Sequence, residues 1–235
     1  SSIGNFNVIV QASDGNLTDS QSYQLTVTNA KINKLSISDL DVKIGSKSDK
    51  NVKNNTKLKD AEPGDKVEFN IELKNLFTED EDLKIKNVEV EITIEEIDDG
   101  EDLDEDANDV DIKPSKKEEV KIEFDVPLDV EENTFDVLIN IEGEDENGTT
   151  QEIFFKLELE VEKKKHEIRV ISASTLPPTI GCKRTFSVNS EIINTGSDDE
   201  DEVTLEVLSA ELGISDITKN IELDEGTEDN MFTKS

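Results

Sequence analysis

Apolar and polar residues alternate one for one in run after run of this chain, and that feature decides what it can fold into. Val67-Glu68-Phe69-Asn70-Ile71-Glu72-Leu73, Val88-Glu89-Val90-Glu91-Ile92-Thr93-Ile94 and Val120-Lys121-Ile122-Glu123-Phe124-Asp125-Val126 follow it, as does Phe155-Lys156-Leu157-Glu158-Leu159-Glu160-Val161. Phe135-Asp136-Val137-Leu138-Ile139-Asn140-Ile141 breaks it only at Leu138. On a strand, residues at i, i+2 and i+4 share one face; on a helix they would spiral round the axis and bury nothing. Two further runs, Phe6–Ala12 and the shorter Tyr23–Val27, flank the turn-like Ser13-Asp14-Gly15-Asn16. Each run has an apolar face and a polar, largely acidic one, the pattern of half-buried antiparallel sheets. No amphipathic helix is found, and the expected class is all-β.

Charge reinforces this reading once it is placed on the runs. The 235 residues carry 58 Asp and Glu against 25 Lys and Arg, a net charge of −33. Low hydrophobicity with such a charge leans towards disorder, but strand patterning puts most of the carboxylates on solvated outer faces. A polyanion repels phosphate backbones, so nucleic acid is excluded as a general partner. No apolar run approaches 18 residues, which argues against direct membrane insertion by a helix. The single cysteine and single histidine exclude an intrachain disulfide framework, Cys-based zinc sites and His-cluster metal sites.

The runs repeat. Lys34-Leu35-Ser36-Ile37-Ser38-Asp39-Leu40 opens one segment and His166-Glu167-Ile168-Arg169-Val170-Ile171-Ser172 another. Val67–Asn75 aligns with Phe186–Asn194, each ending in Asn before an acidic stretch. Val88–Ile97 then aligns with Val203–Leu212, and Ile112 with Ile221. The expected organisation is a two-strand half-domain at 1–30, a complete β-sandwich at 31–163, and the first part of a second sandwich at 164–235. Such a pattern fits a stretch of a longer tandem array. It also fits ends that complement one another between successive chains by strand addition at exposed edges.

Two resemblances sharpen the expectation. Gly4-Asn5-Phe6-Asn7-Val8-Ile9-Val10-Gln11-Ala12-Ser13-Asp14-Gly15 with Tyr23-Gln24-Leu25-Thr26-Val27 resembles the last two strands of cadherin-like immunoglobulin repeats of prokaryotic surface proteins. That resemblance implies a calcium-ligating role for Asp14, beside the plainer reading of Asp14-Gly15 as hairpin-turn chemistry. Leu35–Leu40, Pro63-Gly64-Asp65-Lys66-Val67-Glu68-Phe69, Leu73-Lys74-Asn75, Val126-Pro127 and Asn133-Thr134-Phe135-Asp136-Val137 resemble the immunoglobulin-like adhesion modules called CARDB. Together they imply tandem immunoglobulin-like antiparallel β-sandwiches in a prokaryotic, archaeal-type cell envelope, with no enzymatic activity.

Candidate sites are few. The stretch Asp98–Asp109 is the densest acidic segment, read as a loop; Asp98, Asp102, Asp104, Asp106 and Asn108 are its candidate calcium ligands, since calcium takes six to eight oxygens. It does not match an EF-hand, because Asp109 and Ser115 stand where Gly and Glu are needed. A solvated acidic loop is the alternative. Lys43, Lys47, Lys50, Lys53, Lys57 and Lys59 form a basic island opposed in sequence only by Asp49. It suits an acidic face of a neighbouring copy or an anionic surface glycan, or is a flexible solvated loop. Sequons mark Asn16, Asn54 and Asn147 as glycosylation sites in turns or loops. Cys182 reads as a small buried apolar residue, or as a reactive thiol beside Lys183 and Arg184; His166 reads as a solvated junction residue.

The function expected is structural and non-enzymatic: an extracellular, cell-surface array that polymerises with copies of itself into a layer or filament. An adhesin or glycan-binding stalk is the alternative. No cofactor is required, with Ca2+ as the one candidate ion.

Overall fold

The structure, a computed structural model, describes residues 4–13, 18–27, 32–181, 185–226 and 231–234. Sixteen strands and no helix occur among the described residues. The chain divides into two compact units, Ser1–Asn33 and Lys34–Ser235.

The first unit is one antiparallel hairpin. β1 (Gly4–Ser13) pairs along its whole length with β2 (Thr18–Val27), Phe6 opposite Leu25 and Val8 opposite Tyr23. By the two-residue period Phe6, Val8, Val10, Tyr23 and Leu25 share one face, and all five are exposed.

The second unit begins with a two-sheet sandwich. Its first sheet holds β3 (Leu35–Ile44), β4 (Lys47–Asp49), β6 (Lys66–Asn75) and β9 (Lys117–Asp125), in the order β4-β3-β6-β9. Its second holds β5 (Lys57–Ala61), β7 (Ile85–Asp98), β8 (Glu101–Ile112), β10 (Thr134–Asp145) and β11 (Thr150–Val161), in the order β5-β11-β10-β7-β8. The alternating runs supply the core: Phe69, Ile71 and Leu73 from β6 are fully buried with Ile92 and Ile94 from β7, Ile139 and Ile141 from β10, and Leu157 and Leu159 from β11. Their polar neighbours face solvent on both outer surfaces, as the alternation predicts.

One pairing is parallel rather than antiparallel: β5 runs alongside β11, Lys57 beside Glu158 and Leu58 beside Leu159. The chain leaves the first sheet after β4 and must cross to the second before returning as β6, which lays β5 down in the direction of β11. The crossover is not a flexible loop. Val52 is buried and its N–H donates to the Leu40 carbonyl at 2.8 Å; Asn55 N–H donates to the Lys156 carbonyl at 2.7 Å, and Lys156 N–H to Asn54 Oδ1 at 2.7 Å.

The acidic segment is likewise not a loop. From Glu101 onward it is β8, the edge strand paired with β7 through Thr93–Asp104, Ile94–Leu103 and Val90–Ala107. Leu103, Ala107 and Val110 pack on the core and Ile112 is fully buried. Four apolar residues suffice to fix an edge strand in register, although carboxylates outnumber them.

The rest of the unit repeats part of this frame. β12 (Ile168–Leu176), β13 (Ser187–Asn194) and β16 (Met231–Lys234) form one sheet; β14 (Glu200–Ser209) and β15 (Ile214–Leu223) form another. β12 on β13 copies β3 on β6 pair by pair: Ile168–Asn194 matches Leu35–Asn75 and Val170–Ile192 matches Ile37–Leu73, and the register slips at the same place in both, between Val170 and Ser172 and between Ile37 and Asp39. β14 on β15 copies β7 on β8, with Val203–Ile221 matching Val88–Val110 and Glu200–Leu223 matching Ile85–Ile112. The counterpart of Ile112 is therefore Leu223, two residues beyond Ile221. Among the described residues nothing corresponds to β10 or β11, and the core of this part is Ile192, Val203, Ile221 and Leu223, with Leu205 against it.

Candidate functional site

Three surfaces stand out: the basic crossover, the acidic hairpin with the cleft beside it, and the open edge of β14. Each is built by the strand frame just described.

The crossover gathers five of the six island lysines. Lys47, Lys50, Lys53, Lys57 and Lys59 line a shallow concavity of about 420 Å³ together with Asp49 and Asp60. Three of them are paired with carboxylates the sequence had not placed there: Lys47 Nζ lies 2.9 Å from Asp60, Lys50 2.5 Å from Asp41 and Lys57 2.5 Å from Glu160. The hydrogen bond from Lys50, and then that from Asn51 N–H, hold the Asp41 carboxyl below the usual carboxylate range. The same bond pushes Lys50 up, and Asp60 does so for Lys47. Lys43 stands opposite Glu68 in the β3–β6 register, and Lys53 Nζ donates to Asn51 Oδ1 at 3.4 Å. Lys43, Lys53 and Lys59 carry no ion pair among the described residues. About half of the island thus stitches the crossover to the two sheets, and the remainder faces solvent.

Among the candidate calcium ligands, Asp102 and Asp104 each bond to β7. A bulge at the far end of β7 puts Glu96 at φ +60°, and its freed N–H donates to Asp102 Oδ1 at 2.8 Å. A second bulge puts Asn87 at φ +48°, and its N–H donates to Asp111 Oδ1 at 3.1 Å. Asp104 Oδ1 accepts from the Thr93 hydroxyl at 2.6 Å. Asp102, Asp104 and Asp106 share the outer face of β8 by their spacing; Asp98 sits at the hairpin end opposite Glu101, and Asn108 at the slip between Ala107 and Val110. No group of three His, Cys, Asp or Glu suited to a metal ion occurs among the described residues. Asp14 lies outside the described residues, as do Asn16 and Cys182.

Beside this hairpin is a cleft of about 1490 Å³, reaching from the end of β7 to the β12–β16 part, lined by Glu95, Glu96, Asp99, Asp102, Glu132 and Glu225 with no Lys or Arg among its lining residues. One of its lining residues, Glu225, ties it to the junction segment after β11. Lys163, at the expected domain boundary, has a fully buried side chain whose Nζ lies 2.7 Å from Glu225 Oε1. Lys164 pairs with Glu62 at 2.6 Å, and Arg169 Nη1 donates to the Pro63 carbonyl at 2.5 Å. Gly64, at φ +75°, leaves room for that guanidinium, since a Cβ there would lie 2.6 Å from Arg169 Nη1. The junction is held by specific contacts. His166 is exposed, with Nδ1 2.8 Å from Glu200.

Of the sequons, Asn54 and Asn147 are exposed, the former beside the crossover and the latter in the β10–β11 turn, where its N–H donates to Asp145 at 2.9 Å. Sequence reasoning marked the strand-ending Asn75 and Asn194 only as an alignment. Both are fully buried. Asn75 Nδ2 donates to the carbonyls of Leu83 and Ile112, each at 2.9 Å, while Oδ1 accepts from Phe77 N–H at 2.8 Å. Asn194 Nδ2 donates to the carbonyls of Asp198 and Leu223 at 2.7 and 3.3 Å, and its Oδ1 accepts from Gly196 N–H at 2.9 Å.

The third surface is an absence of partners. β7 is flanked by β8 and β10, whereas β14 is flanked among the described residues by β15 alone. Leu208 on β14 is 64% exposed, and Val170 on β12 is 61% exposed where its counterpart Ile37 packs on the core.

No family model matches the chain, and neither does any curated protein. Among solved structures it is similar to the C-terminal domain of Wzt, at 12% identity and a TM-score of 0.39 over 57% of this chain and 76% of that one. It is also similar to Spo0M, a sporulation control protein from Bacillus subtilis, at 12% identity and a TM-score of 0.31 over 80% of this chain and 91% of that one.

Proposed function

We propose that this chain is a non-enzymatic structural module of a cell surface, a tandem array of immunoglobulin-like sandwiches that assembles with copies of itself through strand edges and opposite charges. The observation that carries the reading is the repetition. The frame of β3, β6, β7, β8 and β9 recurs in β12 to β16 down to one register slip and one buried asparagine, which is how an array of like modules is built. A stiff junction suits a load-bearing array, and the contacts of Lys163, Lys164 and Arg169 supply one. The outer faces are acidic, and the lysine crossover offers a complementary patch that sets the register of a neighbour. Exposed sequons at Asn54 and Asn147 suit an extracellular setting.

Purified protein examined by electron microscopy at high concentration is expected to form regular fibres or lattices that dissolve at high salt. A chain that stays strictly monomeric at all concentrations and salts overturns the reading. The lysine island favours a second reading, recognition of an anionic surface glycan by Lys43, Lys53 and Lys59. Glycan-array binding that is lost when all three are changed to glutamine would select it.

A further inference from the structure

Phe154 is the one large apolar residue on the outer row of β11. By the two-residue period it shares that row with Glu152, Lys156, Glu158 and Glu160, and it is 64% exposed. Asn140, a smaller polar residue, stands opposite it on β10, and Lys156 turns away to pair with Asp136 at 2.5 Å. The strand edge beside it is open as well. Lys156 N–H donates to Asn54 Oδ1 and its carbonyl accepts from Asn55 N–H, each at 2.7 Å, so both groups face the crossover. The main-chain groups of a strand residue point to one side and alternate along the strand, so those of Phe154 face that side too. β5 covers β11 only from Glu158 onward, and the crossover leaves the edge at Asn54. An open edge with an exposed aromatic upon it is a template for unwanted pairing with another chain.

Asn54, where the crossover leaves that edge, is exposed and opens the sequon Asn54-Asn55-Thr56. Its Oδ1 is held by Lys156 N–H, while its Nδ2 has no hydrogen-bond partner among the described residues. Taking the extracellular setting of the reading above as its ground, we propose that Asn54 carries an N-linked glycan whose first sugars lie on Phe154 and close the open edge of β11. The transfer forms a bond from Nδ2 to the anomeric carbon of the first sugar and breaks that carbon's bond to a polyprenyl diphosphate. The diphosphate leaves with the electron pair and Nδ2 loses one proton; carrier and transferase come from the cell. Phe154 lies two residues along the strand from Lys156, about 6.6 Å, a span that two sugars cover. The apolar ring face of a pyranose packs on the aromatic ring, and its hydroxyl and acetamido groups meet the main-chain N–H and carbonyl of Phe154. Asn147 has no such platform, since its turn, Asp145 to Thr149, carries no apolar side chain. With the glycan in place, this half of β11 is withheld from strand-edge contacts between copies.

The test uses the full chain secreted from insect cells, whose short N-glycans begin with two N-acetylglucosamines. Glycopeptide mass spectrometry is expected to find Asn54 occupied in most chains. Asn54→Gln is expected to lower the melting temperature by about 2–4 °C, and Asn147→Gln to leave it unchanged. The same Asn54→Gln change in unglycosylated chain made in bacteria measures the lost Lys156 bond alone and is subtracted. In a Phe154→Ser background the remaining effect of Asn54→Gln is expected to vanish. By NMR, the acetamido methyl signals of the Asn54 glycan are expected upfield of their free-sugar positions, shifted by the Phe154 ring, and to return there in Phe154→Leu. An unoccupied Asn54 overturns the proposal. So do acetamido signals that Phe154→Leu does not move, or an Asn54→Gln effect undiminished in Phe154→Ser. Assembly is read separately, by electron microscopy of the unglycosylated chain, so the failure of that reading is distinguished from the failure of this one.

Discussion

The side-chain amide of Asn75, at the end of β6, donates at 2.9 Å to the carbonyl of Ile112, at the end of β8, and so bridges the two sheets of the sandwich. Asn194 does the same to Leu223 in the repeated frame. An asparagine suits the place because one planar group supplies two donors and an acceptor, and all are used at both positions.

Asn75→Ala would leave the Leu83 and Ile112 carbonyls and the Phe77 N–H without their partner in a buried place. The expected cost is about 2–4 kcal/mol, read from denaturant unfolding at neutral pH. Asn75→Asp keeps the acceptor but sets a carboxylate against two carbonyls, and is expected to cost at least as much. Asn194→Ala should loosen only the repeated frame, seen as faster amide exchange in β13 to β15 with β6 and β7 unaffected. Equal loss of protection in both frames would contradict that locality.

Much of this was legible in the sequence, because strand alternation is a local signal and survives any tertiary context. The runs at Val67, Val88, Val120, Phe135 and Phe155 all form strands, and the alignment of Asn75 with Asn194 marks a real structural repeat. The acidic stretch was misread because β8 shows its apolar residues at uneven spacing: a slip between Ala107 and Val110 breaks the two-residue period. The lysine island looked unopposed because Asp41, Asp60 and Glu160 reach it from the neighbouring β3, from the end of β5 and from β11, and sheet pairing is not a sequence-local property. The burial of Lys163 was hidden for the same reason, its partner Glu225 being 62 residues away.

Glu105 is a charged residue on an inward-facing row. It stands opposite Ile92, between Leu103 and Ala107, on the edge strand of the second sheet, where an inward charge keeps an edge from pairing with another chain. Glu105→Ile completes the apolar row. It is expected to raise the melting temperature while shifting the protein from its ordinary state towards disordered aggregates, followed by light scattering during a thermal ramp. A higher melting temperature with unchanged scattering would remove the protective role.

Paired carboxylates on the first sheet contribute to the acid limb of stability. Glu72 accepts from Lys117 Nζ at 2.5 Å and from the Ser38 hydroxyl at 2.6 Å, and the bond from Lys117 in the first place holds its carboxyl below the ordinary glutamate range. A group whose folded pKa is lowered contributes stability that is complete above its unfolded value of about 4.3 and is lost as the pH falls through the folded value. Wild-type stability is therefore expected to fall more steeply below about pH 4 than that of Glu72→Gln. In an NMR titration, Lys117→Met moves the Glu72 midpoint upward. An unmoved midpoint would show that the ion pair is not formed in solution.

Like charges oppose each other directly on the outer face of the second sheet. Glu89 stands opposite Glu142, and Glu142 opposite Glu152, so three exposed glutamates form one row across β7, β10 and β11. Adjacent strands are about 4.8 Å apart, and like charges in such pairs are destabilising. Lowering the Debye length from about 30 Å at 0.01 M salt to about 8 Å at 0.15 M weakens that repulsion along with the wider repulsion of a chain with a net charge of −33. The ion pairs of the crossover are screened too, but exposed pairs contribute little and the uncompensated carboxylates outnumber them. The melting temperature is therefore expected to rise with sodium chloride rather than fall. Glu142→Lys, which turns two repulsions into two attractions, is expected to raise it at low salt by about 2–5 °C and to flatten its salt dependence. If Glu142→Lys lowers the melting temperature, the row is held by something other than the backbone ladder, and the acidic face is not the source of the salt response.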